Sequence, residues 1–324
     1  MPTTWSRPCC RPCPRPPPEP GIVVSTPGFL PPEVRARLRQ VKITPRRASG
    51  DRGFGLHASR SRGAGMEFAQ YRPYEPGDEP RQVDWKLYAR SDRYFVREAE
   101  RDSPLTLWIL VDASASMAQA DGARPDWSRL DAARGLAAAT MEVALRQGDR
   151  FGLALVNGDG LVLQAASAGP RHRNRCLLAL GALRAGDGWP SEAALAPLYE
   201  RIAPLDMVLL VSDGFDEAAL RVAERLAAAR REVLMVRVLT VEERDFPFEG
   251  GHLFRDIEGG GELRGDGAAM RADFLQRFGV ARREQTARLA AAGIRQVEYV
   301  LDEPLDLPLR RLFAADAHAG TGAS

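Results

Sequence analysis

Two short apolar runs, each closed by a carboxylate and a hydroxyl, constrain this chain more than any other feature. Leu105-Thr106-Leu107-Trp108-Ile109-Leu110-Val111 runs into Asp112-Ala113-Ser114-Ala115-Ser116. About a hundred residues later, Leu205–Val211 runs into Ser212-Asp213-Gly214. A run of this length without polar alternation reads as a strand buried on both faces, the habit of parallel sheets covered by helices on each side. In such sheets ligands bind beyond the carboxyl ends of the strands, near a topological switch point. The polar residues after the two runs are therefore the first place to look for chemistry.

The rest of the chain supplies the alternating partners that an α/β sheet needs. Helical patterns fall at residues 31–40, 128–147, 173–184, 192–202, 216–230, 270–292 and 305–313. The stretch 128–147 carries a capping-box start at Ser128 and Asp131 and an apolar stripe of Leu130, Ala133, Ala137, Met141 and Ala144. Phe151–Val156 and Leu161–Ala165 flank Asn157-Gly158-Asp159-Gly160, a hairpin signal. Val233–Val241 and Gln296–Leu301 read as further strands, and Tyr94–Glu100 as a strand in the N-terminal part. The expected organisation is a Pro/Arg-rich disordered tail at 1–30, then a helix and a basic, aromatic-rich, partly β block at 31–103. An α/β domain follows at 104–303, and a short helix with a flexible tail at 304–324.

Charge is distributed unevenly along the 324 residues: residues 1–101 hold 19 Lys and Arg against 11 Asp and Glu, while the remainder is acidic on balance. Such a basic half suits an acidic partner, a nucleic acid, or an acidic surface of the same chain. Residues 8–20 contain seven prolines and no apolar core of a signal peptide. No run approaches the ~20 apolar residues of a membrane helix. Cys9, Cys10, Cys13 and Cys176 form neither a disulfide framework nor a four-ligand zinc spacing. A reducing, cytoplasmic setting is expected.

Asp112, Ser114 and Ser116 place three side-chain oxygens at spacing two in one strand-end turn, and Asp213 adds a carboxylate from the other. Hard oxygen donors of this kind suit Mg²⁺, Mn²⁺ or Ca²⁺. With neutral hydroxyls among the ligands, the cation stays under-neutralised and seeks an acidic ligand from outside. The plainer alternative is that Asp and Ser cap the following helix.

These motifs resemble a von Willebrand factor A-type domain with a metal-ion-dependent adhesion site. The preceding block is similar to the bacterial domain-of-unknown-function family 58. The matching residues are Gly55-Leu56-His57, Arg62-Gly63-Ala64-Gly65, Glu67-Phe68, Arg72-Pro73-Tyr74, Pro76-Gly77-Asp78, Arg81, Val83-Asp84-Trp85-Lys86, Ala89-Arg90 and the Asp112 motif. The resemblance implies a Rossmann-like A-type domain and a Mg²⁺-type site built from Asp112, Ser114, Ser116 and Asp213. It also implies an adaptor or chaperone-like role beside a MoxR-type AAA+ ATPase or its client. The family pattern has a middle-loop Thr, absent from residues 185–194; Ser191 or Asp187 would have to substitute.

In the aromatic block, Arg72, Arg81, Lys86 and Arg90 interleave with Tyr71, Tyr74, Trp85 and Tyr88. Interleaving of this kind serves single-stranded nucleic acid. Asp78 and Asp84 lie among the arginines, however, which favours internal ion pairs, a buried anchoring Trp85 and protein docking through Arg81, Asp84, Trp85 and Arg90. No G-x-x-x-x-G-K-[ST] phosphate loop is present. A Mg²⁺-dependent phosphatase using Asp112 as nucleophile is the enzymatic alternative, but the position two residues on holds Ser114 in place of a second Asp, and no Lys follows Lys86. The sequence favours a non-enzymatic, metal-dependent interaction module.

Overall fold

The computed structural model describes residues 28–45, 68–75, 83–99, 105–255 and 262–314. The first apolar run forms β3 (Thr106–Asp112) and the second β6 (Met207–Ser212). They lie side by side and parallel, Leu107 opposite Met207 through Val111 opposite Val211. β4 (Arg150–Asn157) flanks β3 on its other side, also parallel, and β5 (Gly160–Ser167) returns antiparallel through the expected turn. β7 (Glu232–Leu239) and β10 (Arg295–Val300) continue beyond β6. The order β10-β7-β6-β3-β4-β5 is, counted in chain order within this sheet, 6-5-4-1-2-3. That is the doubly wound, Rossmann-like arrangement, whose switch point lies between its first and fourth strands, here β3 and β6.

The uninterrupted apolarity of β3 follows from its position. Leu107, Ile109 and Val111 face one core, while Trp108 and Leu110 face a second core on the opposite side of the sheet. β6 divides in the same way, Met207, Leu209 and Val211 against Val208 and Leu210. Each fully buried aliphatic side chain here is worth ~1.5–3 kcal/mol. Gly152 of β4 sits opposite Trp108, and a Cβ there would come within 2.6 Å of the indole. Glycine is what lets that ring lie flat against the neighbouring strand.

The first core is covered by α3 (Arg129–Gln147) and α4 (Pro170–Ala182). The capping box at Ser128 and Asp131 starts α3 as expected. The same core takes in Val34 of α1 (Pro32–Arg37) and Leu309 and Leu312 of α9 (Leu307–Ala314). The first and last helices, expected outside the domain, thus share its interior. Arg146 of α3 donates to the carbonyls of Leu38 and Val41, and Arg37 pairs with the buried Asp306 at 2.6 Å, which ties both ends down. The second core is covered by α5 (Ala196–Arg201), α6 (Glu217–Ala228) and the C-terminal end of α8 (Gly267–Ala291).

Five elements lie outside what the sequence pattern foretold: β1 (Phe68–Pro73), α2 (Trp85–Ser91), α7 (Val241–Asp245), β8 (Gly251–Arg255) and β9 (Glu262–Asp266). α2 follows Asp84 in the N-terminal block, beside the hairpin of β1 and β2 (Phe95–Ala99). α7 follows β7 as a single capped turn. β8 pairs antiparallel with β9 just before α8. Among the described residues no helix is long and apolar enough to cross a membrane.

Candidate functional site

The site forms where β3 and β6 end side by side. Asp112 is the last residue of β3 and has no exposed surface. Its Oδ1 accepts from the Ser114 backbone N–H at 2.9 Å, which turns the chain back over the strand end. Its Oδ2 accepts from the Ser212 hydroxyl at 2.6 Å, a bond that crosses from β6 to β3. Ser212 Oγ in turn accepts from the Gly214 N–H at 3.0 Å. Gly214 holds φ at +76°, the left-handed conformation that glycine adopts without strain.

Ser114 and Ser116 follow on a short 3₁₀ turn over Ala115–Ala118, their hydroxyl oxygens 3.1 Å apart and both side chains buried. Three of the four expected donors, Asp112, Ser114 and Ser116, are therefore gathered at one strand end. Asp213, also without exposed surface, lies near enough to act on Asp112 by charge. Burial, and after it the Asp213 charge, pushes the Asp112 carboxyl up to about 6 from its ordinary 3.8, against the opposing hydrogen bonds from Ser212 and Ser114. Lifting two carboxylates out of water this close together produces such a rise.

Asp213 is engaged elsewhere. Its Oδ1 accepts from the Phe215 N–H at 3.1 Å, and its Oδ2 accepts from Arg129 Nη1 at 2.9 Å. Arg129, the first residue of α3, is itself 1% exposed. Nη1 also reaches the Ser116 carbonyl at 3.3 Å, and Nη2 bonds Glu243 of α7. Glu243 is fixed by its own capping box with Thr240, and the Arg129 guanidinium lies 5.3 Å from the centre of the Phe215 ring. The loop after β3 is tied to α7 a second time, Gly122 N–H donating to Glu242 and Glu242 N–H to Asp121.

Arg129 and Glu243 are the site residues that sequence reasoning passed over, and Ser212, noted at the end of the second run, was assigned no role of its own. A signal for Arg129 was present. A basic residue in the first turn of a helix opposes the dipole, where an acid is normally favoured. Such a position calls for carboxylates from elsewhere in the fold.

The middle loop approaches as Gly186, which bridges Ser114 in parallel register and donates its N–H to the Ala113 carbonyl at 2.9 Å. Glycine brings no hydroxyl to the place beside Ser114. Asp187 and Ser191, the suggested substitutes, are both exposed, whereas Ser114 and Ser116 are buried. No group of three or more His, Cys, Asp or Glu suited to a metal occurs among the described residues. A cation at this site would have to take the serine hydroxyls as ligands beside Asp112, and a hard oxygen donor set of that kind fits Mg²⁺, Mn²⁺ or Ca²⁺.

The N-terminal interaction residues fare differently. Arg81 lies outside the described residues. Asp84 is buried and caps α2, accepting from the N–H groups of Lys86 at 2.9 Å and Leu87 at 3.1 Å. Arg90 is exposed. Trp85, expected to be a buried anchor, is instead 58% exposed. It opens a short helix with no buried residue, and the buried apolar residues of this unit are Val83 and Val96, which bridge each other. Its ring packs edge-on to Tyr88 and Tyr94, which stack on each other at 4.4 Å.

Fold and site define a doubly wound α/β domain with a buried polar site at the switch point of its sheet. The family model described as "Protein of unknown function DUF58" matches residues 70–287. "Uncharacterized protein Mb1516" of Mycobacterium bovis is 30% identical over 262 residues, spanning 79% of this chain and 81% of that protein. The chain belongs to the DUF58 family. Among solved structures, the conserved hypothetical protein BatB from Bacteroides thetaiotaomicron is 13% identical with a TM-score of 0.40, over 66% of this chain and 98% of that one. The SpRpn10 VWA domain is 13% identical with a TM-score of 0.38, over 68% and 100%.

Proposed function

We propose that this protein is a non-enzymatic adaptor that takes up partner proteins through a divalent cation at the end of β3 and β6. The observation that carries the reading is the convergence of Asp112, Ser114 and Ser116 on one side of the switch point with Asp213 on the other, all buried. Mg²⁺, with Mn²⁺ or Ca²⁺ as alternatives, is the ion the donors suit. Held largely by neutral oxygens, it would keep residual charge and an open position for an incoming Asp or Glu. The partner in this reading is a MoxR-type AAA+ ATPase or its client, and the setting is the cytoplasm. The exposed ring cluster of Tyr74, Trp85 and Tyr94, with Arg90 nearby in sequence, would add a second docking face. A phosphatase role for Asp112 finds less support, because both of its carboxylate oxygens already accept hydrogen bonds.

The test is a pull-down of a MoxR-type ATPase from the same cell, repeated in EDTA and at high salt. Loss in EDTA, and loss in Asp112→Ala, is the expected result. Binding that survives the chelator but fails in salt would identify an ordinary charged surface. In parallel, Mg²⁺ should raise the melting temperature of the wild type by mass action and leave Asp112→Ala unmoved.

A further inference from the structure

The buried guanidinium of Arg129 stands where a cation-binding site would least accept a second positive charge. An arginine stays protonated at every accessible pH. This one is enclosed, with its three acceptors supplied by the site itself: Asp213 Oδ2, the Ser116 carbonyl and Glu243. Phe215 covers it on one side. Both Asp213 oxygens are thereby committed, one to Arg129 and one to the Phe215 N–H. From these contacts we infer that Arg129 is the resident cation of this site and competes with the divalent ion for Asp213. The inference rests on the metal reading given above.

The site then has two arrangements. In the one described here, Asp213 neutralises Arg129, and Asp112 with Ser114 and Ser116 is left to hold an ion. In the other, Asp213 turns to the ion and Arg129 is retained by Glu243 and the Ser116 carbonyl. Glu243 is built for that part, since its second carboxylate oxygen is fixed by the Thr240 N–H at 3.0 Å and its position does not depend on Arg129. A positive charge bonded to Asp213 and to the Ser116 carbonyl weakens cation binding beside it, so Arg129 keeps divalent affinity low and reversible. Because Glu243 sits on α7, which also bonds the loop after β3 through Asp121 and Gly122, ion uptake is passed to the surface at α7.

The experiment is a Mn²⁺ titration followed by electron paramagnetic resonance on the full chain, wild type against Arg129→Gln and Arg129→Lys. Arg129→Gln, which loses the charge, should bind Mn²⁺ about tenfold tighter or more, whereas Arg129→Lys, which keeps it, should stay near the wild type. Tight binding by Arg129→Gln with none by the wild type would support the inference and sink metal-dependent docking by the natural protein. Equal or weaker binding by a folded Arg129→Gln, beside a wild type that binds, would overturn the inference and leave the docking reading standing. No binding by either overturns both. Should Arg129→Gln not fold, the wild type decides: its Arg129 side-chain N–H resonance should shift as Mg²⁺ saturates the site, and an unmoved resonance at saturation overturns the competition.

Discussion

The strand-end site and the aromatic unit at residues 83–96 use their polar and aromatic groups in opposite ways. At the site, Asp112, Asp213 and Arg129 are withdrawn from water at the ends of two apolar strands, and each is held by partners from distant parts of the chain. In the aromatic unit, Trp85 and Tyr94 stay on the surface and touch mainly near neighbours in sequence. A buried charge is costly unless paired, so the site must be organised by the whole fold. An exposed ring carries no such requirement and is free for contact with another molecule.

The largest expected effect sits on the buried side. Arg129→Ala leaves Asp213 and Glu243 without their cation and should cost ~3–5 kcal/mol of stability, measured by urea unfolding. A loss below ~1 kcal/mol would show that water reaches the pair, and the contrast with the aromatic unit would fall.

Asp112 sharpens the same side through its pH dependence. Its folded-state value, about 6, lies above the ordinary 3.8, so between these values the folded protein holds a proton that the unfolded chain has released. Stability from this group therefore falls as pH rises through that window and is lowest above it. In EDTA at pH 7, Asp112→Asn should be more stable than wild type by about 3 kcal/mol, the gap closing toward pH 4. A pH-independent difference would mean that Asp112 is not buried as a charge.

On the exposed side the effects shrink. Asp84→Ala removes the cap of α2 and should cost ~1 kcal/mol, seen as local loss of amide protection around residues 85–91 without global unfolding. Trp85→Ala should change stability by no more than ~0.5 kcal/mol. If it instead weakens capture of a partner, the ring is a contact residue; a loss of several kcal/mol would place it in an interior and erase the comparison.

The sheet was legible because burial on both faces leaves a signature in one dimension. Leu107–Val111 and Met207–Val211 read as central strands, and the Ser128–Asp131 box marked where α3 begins. The clustering of Asp112, Ser114 and Ser116 was equally local, since a strand end and a tight turn bring such neighbours together. What the sequence could not decide were bonds between residues far apart along the chain: Ser212 to Asp112 across 100 positions, Arg129 to Asp213 across 84, and Arg129 to Glu243 across 114. Trp85 was misplaced for a related reason. Composition says that a tryptophan prefers to be covered, but only the fold decides that Val83 and Val96 are buried in this unit while α2 buries none of its residues. By itself the sequence determined the six strands of the main sheet, the start of α3 and the oxygen donors, because those depend on periodicity and short-range geometry. Only the tertiary structure decided which charges neutralise one another, because the cost of burying a charge depends on where the rest of the fold delivers its partner.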